Sequence, residues 1–424
     1  MNGVCRHRNV LRAAAGALAA VTAKNASAQD IFVASPPDVA GKRVQSEYEA
    51  KGFDIRGVKL LPRIDSGVRL DNNVLSSGAD AQSDGAATVS GVLDMRYVRP
   101  RRFLQASLTA ETNRYFDLTE QNRNNYSASL ATGGLIGQST NYYARAAYRN
   151  QEAARGTSEN DLGFGAPLER KSVDISGGLS HDFGGFGVRN ETSFSNIDYG
   201  DVETADGPVS QDFRDRNAFS NSTTLSVDVS ERMALLANGM VSKSNFTNED
   251  AAEPSRDSRS LSAGGGFSYN LTELVSSSVI VGYRKTDFTD EGYADFEGLS
   301  VAASVDWHPT PLLSIALKSG QEIVTSAFSQ VDAVTLTRTS VTADYELLRN
   351  LIITGSIGYA RENFENLDAT AERYDARLGG DYKLNRHVAI GVRGSYADRA
   401  LSSAAAPGQD FDRFTLAFRL SVMA

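Results

Sequence analysis

The 424-residue sequence has one cysteine, one tryptophan and four histidines, and beyond its first two dozen residues it has no long apolar run. Each shortage excludes a class of protein. A membrane-spanning helix needs about 20 consecutive apolar residues, so a helical membrane protein is excluded. The lone cysteine, Cys5, falls in a segment read below as a removable leader. That leaves no thiol for a disulfide or a cysteine-held metal, and it suits passage through an oxidising compartment. Few histidines also means few candidates for catalysis. An outer-membrane hydrolase needs a histidine-centred constellation, yet His181, His308 and His387 each stand beside a short turn, and no metal-ligand spacing accompanies them. A phosphate-binding glycine loop is missing too, because Gly264-Gly265-Gly266 opens no helix and reads as a bend in a strand. Basic excess is absent: 52 acidic residues face 43 basic ones, for a net charge of −9, which argues against nucleic-acid partners. The expectation is no enzyme, no cofactor and no metal.

What is present begins with a leader. Arg6, Arg8 and Arg12 precede the small apolar stretch Ala13 to Val21, and Ala26-Ser27-Ala28 before Gln29 has the A-x-A form of a cleavage site. Residues 1–28 therefore read as a signal peptide for export through the inner membrane. Residues 29–60, with Pro36-Pro37 near their start, read as a flexible segment, periplasmic or entering a lumen. Residues 61–424 read as a single large unit. Its 22% charged fraction and mean hydropathy of −0.31 suit a barrel, whose inner face is polar.

From about residue 60 the chain repeats one plan. In the last stretch Phe414, Leu416, Phe418, Leu420 and Val422 alternate with Arg413, Thr415, Ala417, Arg419 and Ser421. Tyr374, Leu378, Tyr382 and Leu384 likewise oppose Arg373, Asp375, Arg377, Asp381 and Lys383, and Leu299, Val301, Val305 and Trp307 oppose Ser300, Ser304 and Asp306. Period-two alternation makes a strand with one apolar and one polar face. Aromatics gather near the strand ends of the apolar face, among them Trp307, Tyr283, Tyr359, Tyr382 and Tyr396, as girdles at two membrane interfaces would. Eight short turns, at 99–101, 138–140, 184–185, 230–232, 272–273, 309–311, 348–350 and 385–386, give sixteen flanking strands. One strand before them and one after make about eighteen, an even number as antiparallel closure requires. The fold class is all-β: a transmembrane, antiparallel, up-and-down β-barrel in the outer membrane of a Gram-negative cell, with outer-membrane lipid and the barrel assembly machinery as partners. The weakest alternation lies at residues 186–199. The longer connections are rich in Asp, Asn, Gly and Ser, and none is long enough to be expected deep in the lumen.

The polar face carries both signs of charge. Arg373, Arg377, Arg393, Arg399, Arg413 and Arg419, with Asp375 and Asp381, form a stripe on the last three strands. Two readings stand: a path that guides an anionic solute, or cross-strand ion pairs that hold a wet wall together. No run of aromatics on this face offers a stacking track for sugars.

Tyr48 to Asp54, Leu61-Pro62 and Asp71-Asn72-Asn73-Val74, with Asp306-Trp307-His308-Pro309-Thr310-Pro311 and Tyr345-Glu346-Leu347-Leu348-Arg349-Asn350, resemble the second β-barrel porin family of outer-membrane proteins. The resemblance runs over about residues 48–424. It implies an eighteen-stranded channel of the type associated with exopolysaccharide or capsular polymer export, working with a periplasmic polysaccharide-export protein. A general diffusion porin for small hydrophilic solutes and a non-conducting structural barrel are the alternatives. The end at Val422-Met423-Ala424 departs from the usual terminal aromatic, which leaves Phe414 and Phe418 to serve the assembly machinery.

Overall fold

In the computed structural model the described residues are 40, 47–157, 159–160, 166–204, 207–247, 255–272, 274–324, 331, 333–365, 367–403 and 406–424. The expected signal peptide, residues 1–28, lies outside them. The chain opens with β1 (Phe53–Ile55), β2 (Val58–Asp71), β3 (Asp84–Arg99), β4 (Arg102–Tyr115), β5 (Arg123–Ile136), β6 (Thr140–Glu152), β7 (Glu169–Asp182) and β8 (Phe186–Tyr199). A small hairpin follows, β9 (Val202–Thr204) and β10 (Gly207–Val209), then β11 (Arg216–Ser230), β12 (Met233–Phe246), β13 (Ser258–Thr272) and β14 (Val275–Phe288). The wall ends with β15 (Phe296–Thr310), β16 (Leu313–Val324), β17 (Val334–Leu348), β18 (Leu351–Phe364), β19 (Ala369–Lys383), β20 (Val388–Leu401) and β21 (Phe411–Met423).

Each of β2–β8 and β11–β21 pairs antiparallel with its neighbours, β8 joins β11, and β2 pairs with β21. The result is a closed ring of eighteen strands, and closure removes the open edges that would otherwise leave backbone groups unpaired in lipid. All eight expected short turns join wall strands at one end. Four of them, after β11, β13, β15 and β17, carry a register shift beside the turn, where an extra residue tightens the hairpin. The first wall strand starts at Val58, and β1 folds back on it through a turn in which Gly57 has φ +85°, so residues 53–60 are hairpin. Both chain ends of the wall lie at this end, which by the short turns of outer-membrane barrels is assigned as the periplasmic mouth. The longer connections lie at the extracellular mouth.

The core is not a central one. Alternation sends Phe414, Phe418, Leu420 and Val422 of β21 outward, where they stay exposed to lipid. Buried apolar side chains cluster instead around the loops. Val74, Ala86 and Tyr115 pack beneath the β2–β3 loop, while Ala153, Leu168, Ile197, Tyr199 and Val202 pack at the root of the β6–β7 loop. Val331, Val334, Phe364, Ala369, Ala371 and Ala406 form a third group. Apolar burial thus gathers where loops meet the wall's inner face, with a further buried pair, Leu236 and Ile280, toward the short-turn end.

Candidate functional site: a loop across the lumen

The described residues of the β6–β7 connection, 153–157, 159–160 and 166–168, are mostly buried or half-buried. At its root Ala153 N–H donates to the Leu168 carbonyl at 2.9 Å, and Asn160 Nδ2 donates to the Ala153 carbonyl at 2.8 Å. Arg155 pairs with Glu152 at 3.1 Å and donates to Gln121 Oε1 at 2.8 Å. A turn at Thr157 and Asn160 reverses the chain. Between root and turn sits Gly156, whose carbonyl accepts a hydrogen bond from Arg373 Nη1 at 3.0 Å. Arg373 is on β19, the seventh strand along the ring from β6 through β2 and β21. The loop therefore crosses the lumen to the far wall. Arg373 stands near the extracellular end of β19, so the contact lies at the mouth of the lumen and not deep inside it.

Gly156 is required there twice over. Its φ is +67°, which disfavours side chains. A Cβ at this position would also stand 2.3 Å from the ring of Phe411 on β21. The backbone thus lies directly on the inner wall.

An ionic knot holds the loop from the other side. Glu159 pairs with Arg170 of β7 at 2.9 Å and accepts a hydrogen bond from Tyr199 Oη of β8. Arg214, in the 3-10 turn Asp212–Arg214 after β10, donates to the Glu159 carbonyl and to Gln211 Oε1, the latter at 3.2 Å. Its guanidinium stacks on Tyr199 with 4.0 Å to the ring centre and is fully buried. Burial alone would raise the Glu159 pKa, but Arg170, the Tyr199 hydroxyl, Arg216 and Arg214 outweigh it and hold the carboxyl below its ordinary value. Burial pulls the Arg214 pKa down, partly offset by Tyr199 and Glu159. A buried charge that is paired and hydrogen-bonded resists removal of any partner.

The charges expected to face the lumen all lie on the inner face of the register, and most are paired. Arg413 pairs with Asp71, Arg419 with Asp381, Arg399 with Glu362 at 2.9 Å, and Arg373 and Arg377 with Asp375 at 2.9 and 4.0 Å. Arg393 has no ion-pair partner among the described residues, nor do Arg145, Arg284 and Lys318. The stripe is thus brought together, but as a network in which carboxylates cancel much of the field. Of the expected interface aromatics, Trp307 and Tyr382 sit on the outer face near the periplasmic turns. Tyr283, Tyr359 and Tyr396 sit on it near the extracellular loops, and Tyr359 packs on Tyr374 at 5.1 Å. Glu159, Arg214 and Gly156 were missed by sequence reasoning. The one signal for Gly156 and Glu159 is a charged, glycine-containing stretch, Glu152 to Glu159, in a connection otherwise like the rest, and Arg214 has none.

At the periplasmic mouth the described residues of the N-terminal segment touch the wall. Ser314 Oγ donates to the Ala40 carbonyl at 3.3 Å, and Lys383 Nζ pairs with Glu49 at 2.5 Å. Gly52 N–H donates to the Ala424 carbonyl at 2.9 Å.

Among known proteins, the family described as Putative beta-barrel porin 2 matches residues 45–422. No curated protein matches the chain. Similar solved structures include OccK1 (OpdK) of Pseudomonas aeruginosa, at 11% identity and TM-score 0.41 over 86% of this chain and 99% of that one. OccAB3 of Acinetobacter baumannii is similar at 6% identity and TM-score 0.44, over 87% of this chain and 100% of its own. The siderophore receptor PirA of the same organism is similar at 6% identity and TM-score 0.45, over 86% of this chain and 80% of its own.

Proposed function

Because this chain belongs to the β-barrel porin 2 family, we propose that it is an outer-membrane diffusion channel for small hydrophilic solutes, with its aperture set by the loop segment around Gly156. The observation that supports this reading is the contact of the Gly156 backbone with Arg373 and Phe411 on the far wall. A chain segment held there narrows the extracellular entrance, which suits small solutes better than a thick polymer. The paired wall charges make the path wet and electrically mild, so weak ion selectivity accompanies it.

Planar-bilayer recording of the purified barrel tests the reading. Steady conductance is expected, with a higher level after Gly156→Ala, which pushes the loop off Phe411. A barrel silent in both forms would end it. Polymer export, which the family resemblance implies, requires the loop to leave β19 altogether. Surface polymer that disappears on gene deletion, and returns with the unaltered chain but not with one whose loop is cross-linked to β19, would favour export over diffusion.

A further inference from the structure

The outer face of a barrel wall meets lipid tails over a band about 25 Å tall, where side chains are apolar. One part of this wall breaks that rule. On β8 and β11 the outward-facing positions are shared by Phe186, Phe194, Phe219 and Val227, all exposed, and by Asn190, Thr192, Asn221 and Thr223. The last four form one hydrogen-bonded cluster. Asn190 Nδ2 donates to Thr223 Oγ1 at 2.8 Å and to Asn221 Oδ1 at 3.1 Å, and Asn221 Nδ2 donates to Thr192 Oγ1 at 2.7 Å.

Register fixes the depth of this cluster. The row of cross-strand neighbours through Asn190 and Thr223 starts at Tyr142 on β6, beside a periplasmic turn. It continues through Leu179, Asn190, Thr223, Gly239 and Ala263 to Tyr283 on β14, near the extracellular loops. Because wall strands are tilted, such a row climbs from one aromatic girdle to the other. Asn190 and Thr223 lie partway up, inside the apolar band. Thr192 and Asn221 are the next outward pair toward the extracellular side.

We infer that this patch is where a second copy of the chain docks in the membrane. Amides and hydroxyls facing lipid tails lose the partners that water would give, so a bare cluster is costly. Thr192 and Thr223 each accept an amide hydrogen, and each retains a hydroxyl proton with no acceptor among the described residues. A primary amide donates and accepts at once, so the patch is complementary to itself, as a two-fold contact between identical surfaces requires. It carries no charge that would call for an oppositely charged partner or a lipid headgroup. The neighbouring outward positions Gly177, Ala237, Gly239, Ala263 and Gly265 leave little side chain between two walls and permit close approach.

The test uses full-length protein carrying Cys5→Ser, so that an introduced cysteine is the only one. Asn221→Cys, oxidised in outer-membrane vesicles, is expected to give a disulfide-linked pair of chains. Ile357→Cys, outward-facing on β18 and 68% exposed, is expected to give none. Unsubstituted protein in mild detergent should scatter light as two chains. Adding Asn190→Leu and Thr223→Val should reduce it to one while the heat-dependent gel shift of a folded barrel persists. A 221 thiol that stays unlinked yet reacts with a lipid-soluble maleimide overturns the inference. So does a link to a different protein, or a single-chain mass for the unsubstituted barrel.

Discussion

The two mouths of the barrel are built on different physics. The extracellular mouth is narrowed by loops that bury apolar clusters and a charged knot, with Arg214 wholly out of water. The periplasmic mouth has tight turns, buried inner-face residues such as Ala234 and Ser278, and among its contacts a Lys383–Glu49 pair whose side chains are 26% and 43% exposed. Buried ionic contacts are costly to break from one side, whereas exposed pairs contribute little. Among the described residues, the extracellular loops therefore carry a fully buried ionic contact, whereas the Lys383–Glu49 pair at the periplasmic mouth is partly exposed.

Four experiments break or sharpen that contrast. Replacing residues 154–167 by a short Gly-Ser link should give the largest rise in single-channel conductance, with the folded-barrel gel shift unchanged. Arg214→Ala should come next. It removes the donor to the Glu159 carbonyl and to Gln211 and should cost the closed loop about 3 kcal/mol, read as frequent excursions to the higher conductance and as faster proteolysis of the loop. Acidification acts on the same knot more gently. Since the folded Glu159 pKa is depressed below its ordinary 4.5, its contribution to closure is complete above that value and is lost as pH falls through the folded value. Conductance should thus hold steady on acidification down to 4.5 and rise only below it, and Glu159→Gln should abolish that rise. Lys383→Ala at the other mouth should have the smallest effect, within about 1 kcal/mol, seen as an unchanged conductance level and little change in denaturant midpoint.

Much of the wall was legible because lipid dictates it residue by residue. Phe414 through Val422 alternate without a break, since an inward slip would place charges in the membrane. The turns were legible through Pro309-Thr310-Pro311 and Gly184-Gly185, whose chemistry is local. The loop across the lumen was not legible. Its anchor joins Gly156 to a residue 217 positions away, and the Gly and Asn of an inward loop look like those of a solvated one. The weak alternation at 186–199 has a physical cause as well. Asn190 and Thr192 on the outer face are as polar as Arg189, Glu191 and Ser193 on the inner one, so contrast between the faces vanishes where the wall is polar on both sides. Charges of the Arg373 to Arg419 stripe could be placed on a face by parity. Their pairing depended on side-chain reach across strands, which parity does not record.

The seam of the ring is where the chain meets itself. Strands β2 and β21 pair over Arg63–Asp71 and Thr415–Met423, and Asn72 and Asn73 fasten the extracellular end of that seam to Phe414 N–H and the Asp412 carbonyl, at 2.6 and 2.9 Å. The wall strand made first is thus bonded to the one made last. Unless β2 and β21 are joined, the sheet has two raw edges, each able to pair with a neighbouring chain. Closure of the ring removes both at once, and the two asparagines bond across its extracellular end.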